Sequence, residues 1–268
     1  MEAFKTIRFE KPEAGIGLIT LNRPERLNAL NMEMVEDLDA LFRELRLSEE
    51  VRVLVITGEG RGFCSGADLV DALQNQGQRA FTSPPVFLTD VQKKYADLIL
   101  GMRRLPQPII AAANGVAAGG GFCIALASDV IIASPKASFI ASFINIGLSG
   151  GELGTTYFLP RLVGFARAAE ILYTGRAVGA AEAERIGLVN RVVEEGELLK
   201  AAFETARLML SKTPGGLRLT KEALVQNLNA PSVDAAVELE NRNQTILIFS
   251  PEFRKAVEAF AKAKNPVS

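Results

Sequence analysis

Apolar and polar positions alternate with two different periods along this chain, and the period sorts its segments. Gly15 to Leu21 (GIGLITL) reads as a strand that stops at Asn22-Arg23-Pro24. Met34, Val35, Leu38, Leu41, Phe42 and Leu45 recur at helical spacing, which predicts a helix from Met32 capped by Asn31. Val51 to Thr57 (VRVLVIT) is a β-branched run closed by Gly58, and it predicts a second strand. Further strands are expected at Ile109 to Ala113 and Asp129 to Ala133, with a helix from about Val91 to Arg103 and an apolar helix from Phe122. Two Gly-rich turns, Gly60 to Asp68 and Asn114 to Gly121, follow strands. Residues 71–89, polar and interrupted by Pro84-Pro85, are expected to form an irregular mobile loop.

Strand, turn and helix in alternation imply an α/β core with mostly buried strands. Near residue 195 the composition shifts to helices alone. Glu197 to Ser211 and Gly215 to Asn227 read as two, and Ser232 and Ser250-Pro251 as the starts of two more. The division expected is therefore residues 1–195 as an α/β core and 196–268 as a helical region. Val233, Val237, Ile246, Leu247, Ile248 and Phe249 are more apolar surface than a short helical appendage buries alone, which predicts an oligomer.

Composition narrows the chemistry. Of 268 residues, 48% are hydrophobic, so a wholly disordered chain is excluded. Thirty basic residues against 31 acidic ones give no field suited to nucleic acid. The absence of histidine removes imidazole bases, His triads and His metal ligands. Cys64 and Cys123 cannot form a thiolate-only zinc site, and no clustered acids offer a metal site. Both cysteines read as reduced thiols, and with no apolar leader or spanning segment the expectation is a soluble cytoplasmic protein.

The two Gly-rich turns carry the candidate chemistry. Glycine lets backbone N–H groups approach a ligand, a helix N-terminus adds positive potential, and two such groups aimed at one oxygen make an oxyanion hole. The bland alternative is a pair of ordinary turns. Neither has the spacing of a nucleotide-binding loop.

The motifs, taken in order, resemble the crotonase, or enoyl-CoA hydratase/isomerase, superfamily. They are Asn22-Arg23-Pro24 with Leu27-Asn28-Ala29-Leu30, Gly62-Phe63-Cys64-Ser65-Gly66-Ala67-Asp68-Leu69, and Pro108 to Gly115 with Gly119-Gly120-Gly121. Ser128-Asp129, Ile146-Gly147-Leu148, Leu159 to Gly164 and Ala180 to Val189 complete them. The resemblance implies a crotonase-like ββα spiral core with a C-terminal helical oligomerisation region, and a homo-oligomer, trimer or dimer of trimers. It implies an acyl-CoA thioester substrate, with no membrane or nucleic-acid partner and no cofactor beyond the coenzyme A of the substrate. The thioester oxygen would sit between the amides of Ala67 and Gly120, and the coenzyme A contacts would come from Arg26, Leu27, Ser65, Ala67, Asp68 and Leu69.

One feature departs from the family pattern. Its hydratases place two glutamates over the substrate double bond, and the matching positions here are Cys123 and Phe143. Water addition to C2=C3 needs a base and an acid. Cys123 is either a core thiol or, with a lowered pKa, a titrating one. Glu152, in Gly147-Leu148-Ser149-Gly150-Gly151-Glu152-Leu153-Gly154, offers another carboxylate: either a desolvated base at a helix N-terminus or a cap facing solvent. Tyr157 is placed to hydrogen-bond it, and Phe139, Phe143 and Phe158 read as acyl-pocket lining or core. Three functions follow: 2-enoyl-CoA hydration as first label, double-bond isomerisation through Glu152 alone, or acyl-CoA binding without catalysis.

Overall fold

A computed structural model describes residues 4–74 and 83–264. The chain divides into two compact units, Met1–Leu208 and Met209–Ser268. That division falls later than the change of composition near residue 195. Helix α9 (Leu198–Leu210) lies mostly in the first unit: Arg191 reaches its Ala201 carbonyl at 3.0 Å and Thr205 Oγ1 at 2.9 Å.

The first unit holds two sheets. One runs in the order β1 (Ile7–Glu13), β2 (Ile16–Leu21), β3 (Val53–Gly58), β5 (Ile109–Ala113), β7 (Val130–Ala133), β10 (Arg191–Val192). The other is β4 (Gly62–Cys64), β6 (Val116–Ala118), β8 (Ser138–Ile140), β9 (Ala177–Gly179). From β3 to β8, consecutive strands alternate between the sheets. Thus β3, β5 and β7 pair in parallel in one, and β4, β6 and β8 pair in parallel in the other. This is the repeated ββα spiral.

The helical pattern of residues 32–45 is realised as α1 (Met32–Leu45), with the Asn31 side chain accepting from the Met34 amide at 3.0 Å. All six predicted apolar positions are buried. The buried strands β3 and β5 lie where their β-branched and alanine runs predict them.

Two expectations need correction. Residues 84–89 are helical, not irregular. Pro84 and Pro85 fill the first turn of α3 (Pro84–Phe87), where a missing N–H costs no helical bond. α3 passes through a π-helical turn, Leu88–Gln92, into α4 (Lys93–Arg104). Residues 75–82 of the expected loop lie outside the described residues, and α2 (Leu69–Gln74) precedes them. The two Gly-rich turns are also more than turns, since each contains one short strand of the second sheet, β4 or β6. A three-residue strand is too short to show a period.

In the second unit, α10 (Pro214–Asn227), α11 (Val233–Ile248) and α12 (Pro251–Lys264) follow Thr213, Ser232 and Ser250, whose hydroxyls each accept a first-turn amide. Val233, Val237, Ile246, Ile248 and Phe249 are exposed, as are Phe253, Val257 and Phe260. Among the described residues, no helix is long and apolar enough to cross a membrane.

Candidate active site

The first Gly-rich turn is built on a short parallel bridge between Leu30 and Ala67. The Leu30 amide donates to the Gly66 carbonyl at 2.7 Å, and the Asp68 amide donates to the Leu30 carbonyl at 2.9 Å. In such a bridge the neighbours of Ala67 make both bonds, so the Ala67 N–H points away from Leu30. Gly66, at φ +96°, makes the turn that aims it.

The second turn packs against the first at Gly66. Gly119 has φ +51° and ψ −120°, the conformation of the first central residue of a type II′ turn, and α5 (Gly120–Ala127) starts directly after it. The two backbones touch. A Cβ on Gly66 would lie 2.9 Å from the Ala118 carbonyl oxygen and 3.3 Å from the Gly120 nitrogen. One on Gly121 would lie 2.1 Å from the Cys64 carbonyl oxygen. Glycine is therefore needed at 66 and 121 for close approach. Among the described residues, neither the Ala67 amide nor the Gly120 amide donates to another protein group. Gly120 also stands at a helix N-terminus, where partial positive charge gathers.

Several side chains hold the first turn, and sequence reading gave them no role. Asn28 is fully buried at φ +55°. Its Nδ2 donates to the Glu59 carbonyl at 2.9 Å and the Gly62 carbonyl at 2.8 Å, and its Oδ1 accepts from the Arg23 amide at 2.9 Å. Asn114 Nδ2 reaches the Gly60 and Gly62 carbonyls at 2.9 and 3.2 Å. Arg23 donates to the Ala29 carbonyl at 2.6 Å and pairs with Asp68 Oδ2 at 2.9 Å. Asn28 and Arg23 fall inside the motifs that carry the resemblance, which was the one available signal.

The expected coenzyme A positions are brought together by the same contacts. Arg26 and Ala67 are exposed, Leu27 and Ser65 are half-buried, and Leu69 is exposed. The Ser65 hydroxyl donates to the Arg26 carbonyl at 3.2 Å, and the Ser65 amide donates to Leu27 at 3.0 Å. Asp68 differs from the rest. Its side chain is buried, pairs with Arg23, and accepts the Asp71 amide at 3.0 Å. Burial would raise the Asp68 carboxyl, but the Asp71 amide, the Arg23 hydrogen bond and the charges of Arg23 and Arg26 outweigh it, so its pKa lies below the usual carboxylate value.

This pair supports a stability prediction. Arg23→Met leaves a buried carboxylate without its partner and is expected to lower stability by about 3 kcal/mol at neutral pH. A depressed pKa contributes stability that is complete above the unfolded value of about 4 and is lost as the pH falls through the lower folded value. The gap between wild type and Arg23→Met should therefore narrow in acid. Urea unfolding at two pH values checks this, and a gap that stays constant would contradict it.

The positions matching the family's glutamates hold no acid. Cys123 and Cys64 are free, buried thiols. Burial pushes Cys64 up to about 12. Cys123 is raised well above the ordinary thiol value by burial, with the neighbouring Glu152 charge adding to it. A thiol so placed does not ionise at neutral pH, which leaves the core-thiol reading of Cys123. The Phe143 ring edge lies 3.6 Å from where a Cβ on Gly119 would stand, so it packs on the second turn. Phe139 is buried against Phe122, with centroids 6.1 Å apart, while Phe158 meets Tyr157 edge-on at 5.2 Å. Tyr157 stacks on the Arg161 guanidinium at 3.8 Å.

Glu152 reaches this place from another element. The Cys123 thiol donates to the Glu152 carbonyl oxygen at 3.6 Å, which sets the loop against the start of α5. Thr155, fully buried, accepts the Glu152 amide at 3.0 Å and donates to the Gly150 carbonyl at 2.9 Å. Gly154, at φ +89°, then opens α6 (Thr155–Val163). The Glu152 side chain is half-buried, and the Gln92 side-chain amide donates to its Oε1. It is not a cap turned to open solvent. Asp129 accepts the Ile109 amide at 2.8 Å and pairs with Arg103, a structural task. Among the described residues, no group of three or more acids or cysteines could hold a metal ion.

The chain is similar to known proteins over most of its length. The family model for enoyl-CoA hydratase/isomerase matches residues 11–267. A probable enoyl-CoA hydratase of Mycobacterium tuberculosis is 43% identical over 259 residues, 96% of this chain and 90% of that protein. The crystal structure of a probable enoyl-CoA hydratase/isomerase from Mycobacterium abscessus superposes with a TM-score of 0.87 at 37% identity, over 97% of this chain and 96% of that one. A monofunctional enoyl-CoA isomerase from M. smegmatis gives a TM-score of 0.73 at 41% identity, over 87% of this chain and 98% of that one. With its two sheets, its paired glycine turns and these relatives, the chain belongs to the enoyl-CoA hydratase/isomerase family, and it is an enzyme of that type with the crotonase fold.

Proposed function

We propose that the amides of Ala67 and Gly120 receive the thioester oxygen of an enoyl-CoA and that Glu152 is the proton carrier. The observation that supports this is the close contact of the two glycine turns, whose Ala67 and Gly120 amides donate to no group among the described residues, near a loop whose Glu152 is half-buried. A thioester enolate gathers its charge on oxygen, and each preorganised donor stabilises it by about 2.7–4 kcal/mol. Coenzyme A enters as part of the substrate, and no further cofactor has a step.

Hydration of a 2-enoyl-CoA remains the first label, supported by relatives described as hydratases. Glu152 takes a proton from water as its oxygen bonds to C3, and the C2=C3 electron pair moves onto the thioester oxygen. The carbonyl then re-forms while Glu152 returns that proton to C2. One carboxylate serves as base and then as acid. A specific observation favours a second reading, double-bond isomerisation: Glu152 is a lone carboxylate, since Cys123 and Phe143 stand where the family's pair would be. It would take a proton from C2 of a 3-enoyl-CoA and return it at C4 through the same enolate. Loss of the conjugated chromophore from 2-enoyl-CoA reports hydration, and its appearance from 3-enoyl-CoA reports isomerisation. Calorimetric binding with neither spectral change, over several chain lengths, would leave only an acyl-CoA binder.

The exposed apolar side chains of α11 and α12 support a homo-oligomer, a trimer or dimer of trimers. Sedimentation is expected above the monomer mass of 28.8 kDa, and a species at that mass would contradict it. Two free thiols fit a reducing, cytoplasmic setting.

A further inference from the structure

Gln92 touches the carboxylate, and the scheme above gives it no role. It closes the π-helical turn Leu88–Gln92 as that turn passes into α4. Such turns interrupt a helix and re-aim the side chains beyond them, and they recur at functional sites. From there the Gln92 Nε2 donates to Glu152 Oε1. Tyr95 lies three residues on, along the same side of the helix. Its hydroxyl donates to the Leu30 carbonyl at 2.9 Å. That carbonyl also receives the Asp68 amide, and the Leu30 amide binds Gly66, so Tyr95 is fastened to the bridge that aims the Ala67 amide. One helix start is thus tied at one residue to the carboxylate and at another to the first glycine turn.

We infer that Gln92 is the positioning residue of the proton carrier, fixing Glu152 through Oε1 relative to the Ala67 amide. The inference rests on the reading of Glu152 given above. Glu152 follows Gly150 and Gly151, whose backbones are conformationally permissive. A neutral amide donor occupies one carboxylate oxygen and leaves the other for proton transfer. Displacing a reacting group by about 1 Å lowers a rate by about a hundredfold, so an anchor of this kind acts on turnover and leaves binding of the thioester alone.

The test uses Gln92→Met and Gln92→Leu, which remove the donor and add no titrating group. Both are expected to lower kcat by about tenfold to a hundredfold, while KM and acyl-CoA affinity stay within about twofold. Exchange of the C2 protons of a saturated acyl-CoA into deuterated water, followed by NMR, should fall in parallel, because it reads enolate formation directly. Glu152→Ala is measured beside them. If it loses exchange and turnover while both Gln92 variants keep wild-type kcat, the positioning role is overturned and the Glu152 reading stands. If Glu152→Ala retains wild-type exchange, the Glu152 reading fails first and this inference with it. A drop in thermal stability or thioester affinity with kcat unchanged would make Gln92 a packing residue and would also overturn it.

Discussion

Glu152→Ala is expected to lower turnover of an enoyl-CoA by about a thousandfold, within the range that general acid–base groups contribute. Thioester affinity should stay within about threefold, under roughly 1 kcal/mol. The reason is a division of labour. Coenzyme A is expected along Arg26, Leu27, Ser65 and Leu69, and the carbonyl oxygen at two main-chain amides, none of which Glu152 builds. Its own amide and carbonyl hold the loop through Thr155 and Cys123, and an alanine keeps both contacts. The variant therefore removes the proton carrier and leaves the binding surface. Steady-state rates with 2-enoyl- and 3-enoyl-CoA, read with calorimetric binding, check this. Unchanged turnover would remove Glu152 from the chemistry, and binding lost together with turnover would make it structural.

Gly66→Ala is the second large effect. At φ +96° an alanine is strained, and its Cβ would stand 2.9 Å from the Ala118 carbonyl oxygen and 3.3 Å from the Gly120 nitrogen. These neighbours are backbone, so no flexible side chain can yield. The two turns must separate, and with them the Ala67 and Gly120 amides. Loss of one donor's geometry is expected to lower kcat by about 10²–10³. Strain at the positive φ should lower stability by about 1–2 kcal/mol. A comparison position separates the two effects. Gly196, at φ +92°, has no atom within 4 Å of its Cβ position, so Gly196→Ala should lose a similar stability to strain and keep wild-type activity. Wild-type kcat in Gly66→Ala would mean that the turns can part without harm to the reaction, against the proposed oxyanion site.

How far the sequence announced this arrangement depends on the length of each signal. The six apolar positions of α1 and the Asn31 cap were legible because fourteen residues give the helical period several repeats. Ser232 and Ser250-Pro251 were legible because capping is local chemistry. The second sheet was not, because β4, β6, β8 and β9 have three residues each and sit in glycine-rich stretches. β1 was missed for another reason: it is an edge strand with most positions exposed, so Glu10, Lys11 and Glu13 hide its alternation. Pro84-Pro85 is a loop signal in the sequence, whereas the chain uses it to start a helix.

The site was legible where glycine was required and silent where contacts span distant segments. The turns at residues 66 and 119–121 announce themselves by composition. That Glu152 belongs beside Cys123, 29 residues away, or that Gln92 meets it from 60 residues away, follows only from the spiral that folds α4, α5 and the loop before α6 together. The same holds for Asn28, which bonds carbonyls 31 and 34 residues downstream.

The most direct measurement is a crystal structure with a non-reacting acyl-CoA bound. The thioester oxygen should lie about 2.7–3.2 Å from both the Ala67 and the Gly120 amide nitrogens. C2 should then face the Glu152 carboxylate. A thioester oxygen bonded elsewhere, or reaching only one of those nitrogens, would contradict it.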